Sequence, residues 1–458
     1  MTDTIAAVST ANGMAGIGVL RLSGPDALAV ADRVFTPDRG APMSARPDRL
    51  LVLGALHDAR GSILDRCLCT VSRAPHSYTG EDTAELQCHG APAVLREGLE
   101  ALFAAGARQA RAGEFTKRAF LNARLDLTQA EAVIDLIHAQ TAEQAKNAAG
   151  QLGGAVTKKT DAIYDALAGI SAHFHAVIDY PDEDIPDFKL REYSRTLADA
   201  QDALRTLRES FARGKVLVDG VPTAIVGRPN AGKSSLLNAL LGYERAIVTP
   251  VPGTTRDTIT ERVRFGGALL RLTDTAGLCE SADEIEALGV ERSRAAMDGA
   301  GLILVLCPAC EAITDEDVAL LREARAKAPT VLVRSKIDLG LSVVGVPRDL
   351  LSLPQVALSS VTGTGFRALE AEIAALLTPE AADTAAAGEI LTNARQVDAV
   401  ARAEQSVAAA RAALDEGFPP DAVLTESEAA MAALGELSGR TVREDVTQQI
   451  FARFCVGK

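Results

Sequence analysis

The chain has 458 residues, 47% apolar, 24% charged and 4% aromatic, which is long enough for two or three domains with sizeable cores. Its 47 Lys and Arg against 61 Asp and Glu leave a net charge of −14. That balance argues against a protein that coats nucleic acid through a general cationic excess, while leaving room for a local basic patch. The 37 Gly and 19 Pro are ordinary usage and exclude the collagenous and low-complexity classes.

Residues 1 to about 120 mix short β-like runs (Gly16 to Leu22, Arg66 to Val71, Thr83 to Cys88) with a helical pattern at Ala91 to Ala104, and predict an α/β domain. From about 122 the pattern predicts long helices, Thr128 to Ala149 and Val156 to Ile178. A break follows at Tyr180-Pro181, and then a further helix from Leu190 to Gly214. Strand and helix then alternate through Pro222 to Gly227, Gly232 to Leu241, Leu269 to Thr273, Gly301 to Leu306, Asp315 to Ala326, Thr330 to Arg334 and Gln355 to Leu358. Apolar β-rich runs in that alternation predict a doubly wound parallel sheet. Helices return from Ile390 to Glu416 and from Glu426 to Phe454. The economical organisation is multidomain, α/β plus α-helical. It has an N-terminal α/β domain over 1–121, a helical domain in two parts over 122–216 and 380–458, and an inserted doubly wound domain over 217–379.

No apolar run approaches the roughly 18 residues of a membrane span, and Met-Thr-Asp-Thr-Ile lacks the pattern of a secretory leader. The expectation is a cytoplasmic protein. Seven cysteines, odd in number and thinly spread, suit reduced thiols better than a disulfide framework. Cys67 and Cys69 alternate on a strand and are expected to pack. Cys307-Pro308-Ala309-Cys310 has redox spacing, but no second pair accompanies it for zinc. His173 and His175, two apart on a helix, face differently and do not suggest a shared metal.

The strongest signal is Gly227-Arg228-Pro229-Asn230-Ala231-Gly232-Lys233-Ser234, the spacing G-x-x-x-x-G-K-S between an apolar strand and a helix. Backbone amides from Asn230, Ala231 and Gly232 to Ser235 would cradle phosphates at a helix N-terminus. Lys233 would neutralise phosphate oxygens, and Ser234 would ligate Mg²⁺. Asp274-Thr275-Ala276-Gly277 follows the next strand; its aspartate would hold Mg²⁺ through water and its glycine amide would sense the γ-phosphate. Between them, Gly253-Thr254-Thr255-Arg256-Asp257 offers Thr255 to complete the Mg²⁺ shell, with Arg256 a further candidate catalytic side chain. Ser335-Lys336-Ile337-Asp338 ends a later strand. A carboxylate there accepts two hydrogen bonds from the guanine edge that adenine does not offer, so Asp338 points to GTP. Ser359-Ser360 fits the last base-contacting loop. Ser335 stands where Asn is usual, and the shorter hydroxyl is expected to lose contacts to the base and to the neighbouring loop.

Gly227 to Ser235, Gly253 to Asp257 and Asp274 to Gly277 resemble the TrmE-Era-EngA group of GTPases. Three further segments narrow the resemblance to the MnmE (TrmE) family of bacterial tRNA-modification GTPases, essentially over the full length. They are Gly18-Val19-Leu20-Arg21-Leu22-Ser23-Gly24; Gly113 to Asn122 with Leu125-Asp126-Leu127; and Phe454-Cys455-Val456-Gly457-Lys458. The resemblance implies a 5-formyltetrahydrofolate site at Arg21, Glu85, Arg124 (where Lys is usual) and Lys458, a set of cations plus one carboxylate that suits a folate. It implies K⁺ ligation by Asn230, Thr249, Val251 and Thr254, with Pro250 and Pro252 in the same nucleotide-binding loop, and K⁺-stimulated hydrolysis on dimerisation of the inserted domain. Glu286, by residue type an acidic helix start, takes the water-orienting role by resemblance. Cys455, otherwise a small buried hydrophobe, acquires a part in the modification chemistry.

The activity implied is GTP hydrolysis coupled to carboxymethylaminomethyl modification at C5 of the wobble uridine of certain tRNAs. The expected partners are a second copy in a homodimer, the flavoprotein MnmG (GidA) in a heterotetramer or larger complex, and tRNA. The alternative is a regulatory or ribosome-assembly GTPase of the same group, which explains 217–379 equally well but not Arg21, Glu85 and the Cys455 terminus. The basic run Arg108, Arg111, Lys117, Arg118 and Arg124 is a candidate tRNA contact, with a solvated face or part of the folate site as the other readings.

Overall fold

The computed structural model describes residues 3–11, 13–179, 187–243, 260–273, 296–342, 345–377, 388–440, 450–452, 454, 456 and 457. The elements are β1 (Ile5–Val8), β2 (Ala15–Ser23), α1 (Ala27–Val34), β3 (Phe35–Pro37), β4 (Val52–His57), β5 (Ile63–Ser72), β6 (Thr83–Gly90), α2 (Pro92–Ala104), β7 (Arg108–Gln109), α3 (Glu114–Leu121), α4 (Leu127–His138), α5 (Ala142–Leu152), α6 (Ala155–Asp179) and α7 (Asp187–Asp219). They continue with β8 (Val221–Gly227), α8 (Lys233–Tyr243), β9 (Thr260–Phe265), β10 (Ala268–Thr273), β11 (Leu302–Pro308), α9 (Asp315–Lys327), β12 (Thr330–Ser335), β13 (Gln355–Ala357), α10 (Phe366–Leu377), α11 (Ala394–Asp415) and α12 (Pro420–Ser438). Two compact units result, one of residues 1–134, 151–201 and 402–458, the other of 135–150 and 202–401.

In the first unit a seven-stranded sheet runs β3-β4-β5-β6-β2-β1-β7. Strand side chains alternate between faces. Leu20, Leu22, Cys67, Cys69, Val71, Ala84, Leu86 and Cys88 all turn to a core closed by Val30 and Val34 of α1 and Leu95 and Leu102 of α2. The intervening Arg21, Thr70, Ser72, Thr83 and Glu85 therefore share the opposite face. The three cysteines are packing residues, and burial pushes the Cys69 and Cys88 thiols far above their ordinary range. For Cys88 a hydrogen bond with Cys67 contributes even more than burial.

The helical part of this unit packs α6 against α12, and Thr128 Oγ1 donates to the Leu437 carbonyl at 3.0 Å. The expected helix from Glu426 to Phe454 begins earlier and ends at Ser438. Gly439 adopts φ 86, and the Gly439 and Arg440 amides close back on the Gly435 carbonyl, which is the left-handed termination a glycine permits. The expected helix from Thr128 to Ala149 is likewise two helices, α4 and α5. Thr141 Oγ1 accepts the Gln144 amide at 3.2 Å, and Gln144 Oε1 accepts the Gln140 and Thr141 amides, an N-terminal cap that starts a new helix.

The second unit holds a six-stranded sheet, β13-β12-β11-β8-β10-β9. Every residue of β11 is buried, as expected for a central strand covered on both faces. Leu236, Leu240, Phe366, Leu369 and Ile373 pack one face; Leu321 and Ala324 of α9 pack the other. Each such fully buried Leu or Ile contributes about 1.5–3 kcal/mol. The expected doubly wound parallel sheet carries one antiparallel edge strand, because β9 returns into β10 through Gly266-Gly267, both with positive φ. That two-residue turn requires the left-handed conformation twice. No described helix is long and apolar enough to cross a membrane.

Candidate functional site

The carboxyl ends of β8, β11, β12 and β13 form one edge of the second unit's sheet, where doubly wound folds bind ligands. β8 ends at Gly227, paired with Leu306 of β11, and α8 opens at Lys233. Between them the loop turns through Asn230 at φ 57 and Gly232 at φ 98. Lys233 Nζ donates to the Gly227 carbonyl at 2.8 Å and the Arg228 carbonyl at 2.9 Å, so the ammonium lies inside the curl of its own loop. Burial lowers its pKa; an anion there would offset the lost solvation. Ser234 and Ser235 follow in the first turn of α8, whose N-terminal amides and dipole favour a phosphate.

Ser335, at the end of β12, is buried. Its hydroxyl donates to the Ala231 carbonyl at 2.6 Å, which corrects the expectation that serine here gives up the contact with the neighbouring loop. Lys336 adopts φ 59, and its Cε lies 3.9 Å from where a Cβ at Gly232 would stand. Asp338 sits in the short 3-10 turn Ile337–Leu339. Ser359 is buried, and its hydroxyl oxygen accepts the Val361 and Thr362 amides at 3.3 and 3.2 Å, while Ser360 stands at the loop edge. The phosphate loop, the Ser335-to-Asp338 turn and the Ser359 loop are thus brought together. Thr249, Pro250, Val251, Pro252, Gly253, Thr254, Thr255, Arg256, Asp274, Thr275, Ala276, Gly277 and Glu286 lie outside the described residues.

The second constellation is on the face of the first unit's sheet opposite α1 and α2, beside α3. Arg21 and Glu85 oppose each other across β2 and β6, with Arg21 Nε donating to Glu85 Oε1 at 2.8 Å. The guanidinium also stands 5.5 Å from the Tyr78 ring centre and 5.8 Å from that of Phe115, a cation–π arrangement. A cavity of about 120 Å³ is lined by both, with Thr70, Ser72, Tyr78, Thr79 and Thr83 among its walls. Burial pushes the Tyr78 hydroxyl up, and it shares a 2.9 Å hydrogen bond with Thr116.

The run Gly113 to Asn122 builds the floor of this region. Arg118 is fully buried; it donates to Asp3, Glu81 and Glu114 at 2.9 to 3.2 Å, and Glu81 accepts the Ser23 hydroxyl at 2.7 Å. Arg108 binds Asp3 and Glu114. Burial works against ionisation of Glu114, yet hydrogen bonds from Arg108, the Arg111 amide and Arg118 hold its pKa at about 2. The expected basic cluster is therefore divided: Arg118 is a fully buried ion-pair partner and presents no phosphate-binding face, whereas Arg108 is partly exposed and already paired with Asp3 and Glu114. Arg124 packs across Gly80, its Cγ 3.1 Å from where a Cβ would lie. It lines a wider cleft of about 800 Å³ with Lys117 and Arg440, not the cavity of Arg21 and Glu85.

The C-terminal segment also reaches this unit. Val456 bridges Ala112, and Ser9 Oγ donates to the Gly457 carbonyl at 2.9 Å. Ser9 follows β1, whose Ala7 pairs with Arg21. Cys455 and Lys458 themselves lie outside the described residues. Among the described residues no cluster of His, Cys, Asp and Glu could hold a metal; His173 stacks on Tyr193 and His175 meets Glu428.

Residues 127–455 match the MnmE helical domain and residues 4–124 the N-terminus of the GTP-binding protein TrmE. Proteins called tRNA modification GTPase MnmE are similar over all of this chain. Those of Symbiobacterium thermophilum and Roseiflexus sp. are 42% identical, each with 99% of its length covered, and that of Moorella thermoacetica is 41% identical with 100% covered. The chain belongs to the MnmE family of tRNA modification GTPases. MnmE membership accounts for an N-terminal α/β unit, long helices and a doubly wound domain in one chain. Sequence reasoning assigned no role to Tyr78, Thr116 or Glu81; the Gly113 to Asn122 run that positions them carried a signal only as a resemblance.

Proposed function

We propose that this chain hydrolyses GTP at the Gly227-to-Ser235 loop and couples hydrolysis to folate-dependent carboxymethylaminomethyl modification at C5 of the tRNA wobble uridine. The observation that carries the reading is the Arg21–Glu85 pair beneath Tyr78, a built polar cavity remote in sequence from the nucleotide loop. A GTPase that only regulates binding has no use for it. The glutamate accepts from the donor edge of a pterin, the arginine neutralises an anionic group, and the threonine and serine hydroxyls complete the set. About 120 Å³ takes one ring system, so the carboxylated tail of 5-formyltetrahydrofolate extends outward, toward Arg124 and Lys458 in this reading.

In the nucleotide site, Asn230, Ala231, Gly232, Lys233, Ser234 and Ser235 hold the phosphates. Ser234 and Thr255 ligate Mg²⁺, and Asp338 selects guanine. Asn230, with Thr249, Val251 and Thr254, holds K⁺, which stabilises charge developing on the transferred phosphoryl group. Glu286 orients water, and Arg256 and Cys455 serve the chemistry. The working assembly is a homodimer with the flavoprotein MnmG, which supplies redox chemistry, and tRNA; the functional divisions are 1–121, 122–216, 217–379 and 380–458. Calorimetry of 5-formyltetrahydrofolate with the full chain and with Arg21→Ala tests the reading. Binding that the variant loses is expected, whereas no binding by the parent favours a regulatory or ribosome-assembly GTPase.

A further inference from the structure

The nucleotide loop carries an arginine that phosphate binding does not itself require. Arg228 directly follows Gly227; its Nε donates to Asp317 Oδ1 at 2.8 Å and its Nη2 to Glu311 Oε2 at 3.2 Å. The Asp317 side chain is 1% exposed and occupied at both oxygens. Oδ2 accepts the amide and the hydroxyl of Thr314, each at 3.0 Å, in the capping box that opens α9. At its other end, Arg228 supplies a carbonyl that accepts from Lys233 Nζ at 2.9 Å and from the Ala231 amide at 3.2 Å. One residue thus joins a buried carboxylate at the start of α9 to the curl of the loop.

We propose that Arg228 is a positioning residue for GTP binding, clamping the leading half of the phosphate loop to Asp317 so that the loop is formed before nucleotide arrives. The loop includes non-glycine backbone at positive φ, Asn230, which an unrestrained chain seldom samples. Ordering it in advance removes that entropy loss from the binding step. Arginine suits the task because its rigid fork reaches Asp317 and Glu311 at once, where lysine offers one point charge. Arg228 acts through the loop backbone.

The proposal rests on the loop being the GTP cradle. Its test is GDP titration of the full chain and of Arg228→Ala, Arg228→Lys, Asp317→Asn, the Arg228→Ala/Asp317→Asn double variant and Arg322→Ala, a change on the same helix as Asp317 that breaks only an exposed ion pair with Asp349. Removing one charged hydrogen-bonded partner is expected to weaken GDP binding about tenfold in Arg228→Ala and in Asp317→Asn. The double variant should be no weaker than either, since both remove one shared interaction. Arg228→Lys should fall between, and carries the test if the alanine variant does not fold; Arg322→Ala should stay within about twofold. Parent-like GDP binding by Arg228→Ala or Arg228→Lys, or losses that multiply in the double variant, overturns the clamp alone. Failure of the parent to bind GDP overturns the GTP reading with it.

Discussion

Ser335 donates its hydroxyl to the carbonyl of Ala231 at 2.6 Å, tying the end of β12 to the loop between β8 and α8. Serine keeps this tie, although it is shorter than the asparagine usual at the position. Ser335→Ala should therefore weaken GDP binding by about 1 kcal/mol, the worth of a neutral hydrogen bond. Ser335→Asn, reaching both loop and base, should strengthen it by a similar amount. Calorimetric titration of the two variants checks both directions.

If Asp338 reads guanine as proposed, Asp338→Asn should cost GDP affinity about two orders of magnitude or more, because two guanine donors would then meet a mismatched amide. Competition by xanthosine diphosphate, whose edge carries an acceptor in place of the amino donor, should improve in the same variant.

Acid should loosen the N-terminal unit through Glu114. Its pKa in the folded chain is about 2 against an ordinary 4.5. As pH falls, the unfolded chain takes the proton first, so the contribution is complete above about 4.5 and lost between there and about 2. The full difference is about 3 kcal/mol. Denaturant unfolding followed at pH 6 and pH 3 should show the drop, and Glu114→Gln should remove most of it.

Arg118→Met should destabilise that unit by about 3–5 kcal/mol, since three carboxylates lose the one cation buried among them. The measurement is the denaturant midpoint, and a neutral result would show that Asp3, Glu81 and Glu114 are satisfied without it.

Thiol labelling of the folded chain at pH 8 should modify Cys310 and spare Cys307. Burial and the neighbouring Asp317 push the Cys307 thiol up to about 12, leaving almost no thiolate. Peptide mapping reads the result, which would make the C-x-x-C spacing a coincidence of strand end and turn.

The alternation of the inserted domain and its phosphate loop were legible because each depends on local residue type. Apolar runs make buried strands, and glycines at fixed spacing make the cradle. The hairpin at Gly266-Gly267 is equally local, but no expected strand covers β9. Strands β1, β3, β4 and β7 and helix α1 were too short to show a period. The helix end at Gly439 was hidden by continuing apolar residues beyond it. The division of the basic cluster was not legible at all. Arg108 and Arg118 look like any surface arginine until the fold brings Asp3, Glu81 and Glu114 around them, and the pairing of Arg228 with Asp317 depends on two residues 89 positions apart.

The Ser9–Gly457 hydrogen bond spans 448 positions, and it gives the molecule an order of assembly. As the chain emerges from the ribosome, the strands from β1 to β7 are available early, but the segment that bridges Ala112 and meets Ser9 arrives only after the elements from α4 to α12 have been made. Such distant contacts form late and slowly. The tail therefore serves as a closing latch: the unit that holds Arg21 and Glu85 reaches its final form only once synthesis has passed through the nucleotide domain.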